Sequence, residues 1–297
     1  MKIIAKGIDV SVNQGNVNWK KVKDSGVEFA MLKCAWGPNI ADNFEKNYKE
    51  AKAVGMPVGA YCYSYAATVT RAKEEANAVV KILKGKTFEY PIAFDIEDVS
   101  QLNIPKKTLT EMCKAFCDIL EKAGYYVSIY SYKSFLTDKL DMNALKDYDV
   151  WLSQFNKTVT YKGAYGMWQY KETAEGAVEG IKEKALLDYA YKAYPTIIKK
   201  AGLNGFKKPS SSSTTSKPAS DTTKKSYKKG DKITLKNAPL YASASDTKAK
   251  TKKSGTFYIY DGVLTNGRYR VTISKALCGR KPMSIFVTGW IKKTDIK

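Results

Sequence analysis

The sequence predicts an α/β chain: a closed eight-stranded barrel followed by a tethered, small all-β module. Three observations carry this. Strand-length apolar runs alternate with helical patterns up to about residue 140, and three further strand-like runs then follow with little helix between them. Beyond them, a Ser/Thr/Lys/Pro stretch leads into a basic segment of short alternating strands punctuated by Asn-Gly and Asp-Gly.

The first strand is read at 3–10 and its helix at 19–25. The unit then repeats, with strands at 27–34, 58–65, 91–96 and 125–130 followed by helices at 44–54, 71–83, 109–123 and 133–140. Strands buried on both faces appear as continuous apolar runs, and their alternation with helices marks βαβ units in a parallel sheet. Strands at 150–155, 166–170 and 184–189 follow closely on one another. Eight strands with five helices predict closure into a barrel whose last three connections are short. Residues 208–226 have no apolar periodicity and are read as a flexible linker between a first domain, 1–207, and a second, 227–297. A tether raises the local concentration of one module near a surface held by the other, which suits catalysis joined to anchoring.

Composition narrows the chemistry. The 297 residues suit two domains, and 44% apolar with 12% aromatic residues is enough to build cores. The chain contains no histidine, which excludes a Ser-His-Asp triad, a Cys-His protease and any zinc site needing imidazole. No metal and no cofactor is expected. No apolar run is long enough to span a bilayer, and the opening Met1-Lys2-Ile3-Ile4-Ala5-Lys6 meets charge at once. The expectation is a chain made in the cytoplasm without a signal peptide and without stable membrane insertion. Cys34, Cys62, Cys113, Cys117 and Cys278 have no metal-ligand spacing and are read as small buried hydrophobes, Cys113 and Cys117 lying at i, i+4 on one helix face. Of the net charge of +21, residues 209–297 contribute +14, with 19 basic against 5 acidic residues. Such a module suggests an anionic partner, whether nucleic acid, lipid or wall polymer, and charge alone does not choose among them. No nucleic-acid motif accompanies it, so no nucleic-acid partner is expected.

Barrel active sites lie at the C-terminal ends of the strands. Asp9 ends strand one, Asp95, Glu97 and Asp98 end strand four, and Asp188 ends strand eight. The two-residue period of a strand puts Asp95 and Glu97 on one side and Asp98 on the other. Trp36, Tyr61, Tyr63, Tyr130, Trp151 and Trp168 stand near other strand ends. A carboxyl pair among aromatics fits cleavage of a glycosidic bond, one acid protonating the leaving oxygen while a second carboxylate stabilises oxocarbenium-like charge.

The motifs Gly7-Ile8-Asp9-Val10-Ser11, Gln14-Gly15, Trp19, Asp42 with Phe44 and Asn47, Gly59-Ala60-Tyr61, Phe94-Asp95-Ile96-Glu97, Trp151-Leu152-Ser153-Gln154-Phe155, Met167-Trp168-Gln169-Tyr170 and Gly180-Ile181 resemble glycoside hydrolase family 25. Members of that family are muramidases that cut between N-acetylmuramic acid and N-acetylglucosamine in bacterial peptidoglycan. The resemblance implies a (β/α)5(β)3 TIM-like barrel, with Glu97 as acid/base, Asp95 as its partner and Asp9 as a further carboxylate. It also implies substrate-binding roles for Trp36, Tyr61, Tyr63, Tyr130, Trp151, Gln154, Trp168 and Gln169. Two routes stay open: a retaining one in which Asp95 assists attack by the substrate 2-acetamido group, and an inverting one in which Asp95 or Asp9 activates water. The expected source of a raised Glu97 pKa is the charge of Asp95.

One departure stands out. The family typically ends strand eight with a Gly-Asn-Val-Asp-like string, and here Leu186 takes the usual aspartate position in Glu183-Lys184-Ala185-Leu186-Leu187-Asp188. Asp188 shares its parity about 6.6 Å further along. Either Asp188 reaches the cleft, or the fourth carboxylate is missing and activity is lowered or lost. The motifs Tyr227-Lys228-Lys229-Gly230-Asp231, Gly255-Thr256-Phe257-Tyr258-Ile259-Tyr260-Asp261 and Val287-Thr288-Gly289-Trp290-Ile291 resemble the bacterial SH3-like wall-binding module of endolysins. Together the resemblances imply a phage-type endolysin that acts on Gram-positive wall after release. Its partners would be peptidoglycan and anionic wall polymers.

Overall fold

The computed structural model describes residues 1–208, 227–280 and 287–296. The chain divides into two compact units, Met1–Thr214 and Thr215–Lys297. The predicted linker lies, but for Lys208, outside the described residues. Among the described residues no helix is long and apolar enough to cross a membrane.

The first unit runs β1 (Ala5–Val10), α1 (Trp19–Asp24), β2 (Phe29–Trp36), β3 (Asn39–Ile40), α2 (Phe44–Ala53), β4 (Val58–Tyr63), α3 (Val69–Leu83), β5 (Ile92–Asp95), α4 (Lys106–Lys122), β6 (Val127–Tyr132), β7 (Asp149–Ser153), β8 (Met167–Glu172), β9 (Leu186–Ala190) and α5 (Tyr194–Ala201). The short β3 only forms a hairpin with β2. The other eight strands close in the order β1-β2-β4-β5-β6-β7-β8-β9, with β9 returning to β1. In place of the predicted fifth helix there is a π-helical turn at Phe135–Lys139, while α5 follows the last strand unforeseen.

The direction of the last strand corrects the sequence reading. β9 runs antiparallel to both β8 and β1, so its C-terminal end points to the barrel base. Asp188 is therefore not at a mouth-facing strand end. It lies mid-strand opposite Gly7, below Leu186, which pairs with Asp9.

The helices form because each carries one apolar face. In α4 that face is Leu109, Met112, Cys113, Phe116, Cys117 and Leu120, at helical spacing and buried against the barrel wall. Each large apolar side chain fully buried in this way contributes about 1.5–3 kcal/mol. Four of the five cysteines are buried as expected, and Cys278 is only partly so. The barrel interior is a second core of Phe29, Met31, Tyr61, Tyr90, Tyr130, Trp151, Met167 and Tyr194. Its base is plugged by Phe29 stacked on Tyr90, with ring centroids 4.2 Å apart. Gly7 makes room for that plug, since a Cβ there would lie 2.4 Å from the Phe29 ring. Asp149 ties the base together by accepting from Tyr126 and Tyr194 and pairing with Lys192.

The second unit is an antiparallel meander of β10 (Lys232–Leu240), β11 (Thr251–Thr265), β12 (Arg268–Thr272) and β13 (Gly289–Lys292). A bridge from Tyr241 to Trp290 links its ends and curls the sheet around Ile233, Leu235, Phe257, Ile259, Val271 and Ile291. The predicted Asn-Gly turn joins β11 to β12, with φ of 48° at Asn266 and 74° at Gly267, as a two-residue hairpin of right-handed twist requires. The Asp261-Gly262 pair makes no turn, and sits instead where the β11 register shifts.

Candidate active site

The two-residue period and the barrel closure together turn one residue set inward near the mouth. It comprises Asp9 from β1, Lys33 from β2, Tyr61 and Tyr63 from β4, Asp95 from β5, Tyr130 from β6, Trp151 and Ser153 from β7, Gln169 from β8 and Asp188 from β9. Glu97 follows β5 by two residues and is partly buried. Asp98 leaves in the other direction, caps the short helix Val99–Gln101 and accepts from the Tyr63 hydroxyl at 3.0 Å.

Hydrogen bonds hold the cluster. Gln169 Nε2 donates to Asp9 Oδ2 at 2.8 Å, while Gln169 Oε1 accepts from Tyr130 at 2.9 Å and from Ser153 at 2.8 Å. The Trp151 indole N–H donates to Asp188 Oδ1 at 2.7 Å. Asp95 is 3% exposed, and its Oδ1 has no donor among the described residues.

Four carboxyl groups with little water cannot all ionise. Burial, then the Glu97 charge, pushes Asp95 well above the usual carboxylate range. Burial pushes Glu97 up to about 7, with the Asp9 charge adding to it and Lys33 opposing. The charge that raises Glu97 is that of Asp9, where the sequence reading expected Asp95. Burial also lifts Asp9 to about 6, against the Gln169 hydrogen bond, the neighbouring Asp188 and the charge of Lys33. Asp188, fully buried beside Asp9, is raised well above its ordinary value, first by that burial.

The structure therefore brings together Asp9, Asp95, Glu97 and Asp188, so the fourth carboxylate is present despite Leu186. Tyr61 and Tyr130 line the buried wall, and Tyr63 lies further out. Trp151 is 1% exposed and forms the floor, with Tyr61 edge-on at 5.7 Å and Tyr130 at 4.5 Å. Gln169 is also buried, and its amide is spent on Asp9, Tyr130 and Ser153. Trp36 is 45% exposed at the rim and meets Tyr65 edge-on at 6.4 Å.

Two expected substrate-binding residues are not part of this inward set. Trp168 faces the outer wall, because its neighbours Met167 and Gln169 take the inward positions; its indole N–H goes to the Gln154 carbonyl at 2.8 Å. Gln154 follows the inward Ser153 on the opposite parity, and its side chain donates to Thr160 Oγ1 and accepts from the Thr160 N–H. It lines a side pocket of about 610 Å³ with Tyr132, Lys133, Ser153 and Phe155.

Sequence reasoning missed Lys33, Ser153 and Tyr65. Lys33 Nζ lies 4.5 Å from the Tyr63 ring centroid and is the cation facing the carboxyl cluster. A single lysine inside the otherwise apolar strand Phe29–Trp36 was the available signal. Cavity size does not mark the site: a groove of about 890 Å³ on the barrel flank, lined by Lys106, Thr110, Leu136, Met142 and Tyr161, holds none of the four carboxyls.

Comparison with known proteins gives the family and fold of the first unit. Residues 8–181 match the profile of glycosyl hydrolases family 25. Over 185 residues the chain is 30% identical to the autolytic lysozyme of Clostridium acetobutylicum, a match spanning 62% of this chain and 55% of that protein. Among solved structures, the CTP1L endolysin is 25% identical with a TM-score of 0.55, covering 66% of this chain and 70% of that one. The modular autolysin LytC of Streptococcus pneumoniae, solved with a synthetic peptidoglycan ligand, is 26% identical with a TM-score of 0.57, covering 63% and 46%.

Proposed function

Because the chain belongs to glycosyl hydrolases family 25, we propose that it is a peptidoglycan hydrolase cleaving the β-1,4 bond between N-acetylmuramic acid and N-acetylglucosamine. The observation that carries this reading is the buried Asp95 carboxyl, whose Oδ1 has no donor among the described residues, placed two residues before a glutamate pushed up to about 7. A sugar bearing a 2-acetamido group brings the missing donor in its amide N–H.

On this reading Glu97 gives its proton to the leaving glycosidic oxygen as the acetamido carbonyl oxygen attacks the anomeric carbon. Asp95 accepts the amide N–H, a hydrogen bond that favours its ionised form over the protonated one that burial favours in the empty site, and offsets the positive charge that develops on the resulting ring. Water then attacks the anomeric carbon, Glu97 takes its proton, and the acetamido group is released with net retention. Lys33 limits the charge accumulated by the carboxyls, and the exposed Trp36 and Tyr65 rings offer faces for neighbouring sugars.

The second unit is read as an SH3-like wall-binding module. On β12 and β13, Arg268 lies over the Tyr241 ring at 3.7 Å, Arg270 over Trp290 at 4.4 Å, and Lys292 near Tyr241 at 5.5 Å. Arg268 is buried and Arg270 pairs with Asp261, so these contacts brace the sheet, and the attraction to anionic wall polymers rests on the net positive charge of the segment.

Digestion of purified walls tests the enzymatic reading. Muramic acid at the new reducing ends is expected, with retained configuration in the first-formed anomer by proton NMR. Glucosamine ends would contradict the bond assignment, and an inverted product would contradict the assisted route. Glu97→Gln is expected to lower lysis by about 10²–10⁴-fold while wall binding persists.

A further inference from the structure

The hydrogen bonds around Asp9 and Asp188 have a direction. Gln169 Oε1 already accepts two hydroxyl protons, from Tyr130 and Ser153, so the amide is oriented with its N–H toward Asp9. Asp9 Oδ2 is therefore an acceptor. On the far side, the Trp151 indole N–H can only donate, so Asp188 Oδ1 is an acceptor as well. The remaining Asp188 oxygen, Oδ2, is fully buried and receives no donor among the described residues.

The strand register decides what that oxygen faces. Gly7 pairs with Asp188 and Asp9 with Leu186, which puts Asp9 and Asp188 on the same inward face as diagonal neighbours. Both carboxyl groups are buried on that one face, and two such neighbours deprived of water coexist there only if one of them carries a proton. Asp9 has the Gln169 amide and the Lys33 charge to stabilise its anion, whereas Asp188 has one indole and full burial. The proton belongs on Asp188.

We propose that Asp188 is held uncharged and donates a hydrogen bond to Asp9, so that Asp9 serves as the fixed negative charge that retains the Glu97 proton. Asp188 is thereby a positioning residue, and neither it nor Asp9 acts as a base. The groups facing the pair are Lys33 on β2, Tyr61 on β4, Asp95 and Glu97 at the end of β5, Tyr130 on β6, Trp151 and Ser153 on β7, and Gln169 on β8. Lys33 is the cation in this set, and it favours the ionised form of Asp9.

The role of the pair rests on the glycosidase reading, but its protonation does not, and the two can be tested apart. Infrared difference spectra of the full chain at neutral pH, wild type minus Asp188→Asn, are expected to show the loss of one protonated-carboxyl band. No such loss would overturn the proposal whatever the enzyme cleaves. In wall lysis, Asp188→Ala is expected to lose activity and move the alkaline limb of the pH profile down by about one pH unit, because Asp9 then ionises less readily. Asp188→Asn, which keeps a donor toward Asp9 and an acceptor for Trp151, is expected to recover about tenfold over Asp188→Ala and to return that limb. An asparagine variant as impaired as the alanine variant, with thermal unfolding showing both folded, would also overturn it. Undiminished lysis by Glu97→Gln would instead count against the glycosidase reading and leave the infrared result standing.

Discussion

Replacing Glu97 by glutamine separates the cost of its burial from its chemistry. In the folded protein Glu97 is pushed from 4.5 up to about 7, first by burial and then by the Asp9 charge. A group whose pKa is raised on folding contributes stability that is fully present below its unfolded pKa and is lost as pH rises through the folded value. The window therefore opens near the usual glutamate value and closes just above about 7. The shift of roughly 2.5 units corresponds to about 3 kcal/mol at 1.36 kcal/mol per unit. Glutamine never ionises and fills nearly the same space. The variant should thus match the wild type at about pH 4 and exceed its stability by about 3 kcal/mol at about pH 8, while losing lytic activity. Thermal or urea unfolding of both proteins at the two pH values measures this difference. A stability difference that does not change with pH would refute the argument that Glu97 is a desolvated acid. The same folded pKa sets the wild-type activity profile, with lysis falling about tenfold per pH unit above about 7 as the proton donor is lost.

Three further outcomes follow from other parts of the molecule. Trp36→Ala removes an exposed rim ring, and a loss of about 1 kcal/mol of stacking should raise KM about fivefold with little change in kcat; steady-state kinetics on soluble glycan chains check it, and an unchanged KM would mean that sugars do not stack there. Gly7→Ala drives a Cβ to 2.4 Å from a Phe29 ring already stacked on Tyr90, an overpacking that costs about 1–3 kcal/mol and should show as a lowered Tm. Binding of the full chain to purified wall should weaken as salt shortens the Debye length from about 10 Å at 0.1 M to about 3 Å at 1 M; salt-independent sedimentation with wall would argue against charge as the attraction.

Much of this protein is written in local patterns. Alternating apolar runs and helical faces specify the eight barrel strands, because a strand buried on both faces has no polar positions to spare. The pair Asp95 and Glu97 was legible for the same local reason, since a two-residue spacing puts both side chains on one side wherever the strand goes. The hairpin at Asn266-Gly267 belongs here as well, its backbone demanding positive φ at both turn residues.

Tertiary structure decided which side of each strand faces the cleft, and how deep. Met167-Trp168-Gln169 alternates whichever way the strand is turned, and barrel closure put Gln169 inside and Trp168 outside. Lys33 reads as an oddity in an apolar strand until β2 is placed beside the carboxyls. Asp188 depended most on the assembled fold: β9 pairs antiparallel with both its neighbours, so moving along the sequence from Leu186 leads down into the barrel toward Trp151 rather than out to the rim. Periodicity sorts side chains into two faces, but only long-range strand pairing chooses the inner one and the direction of travel along it.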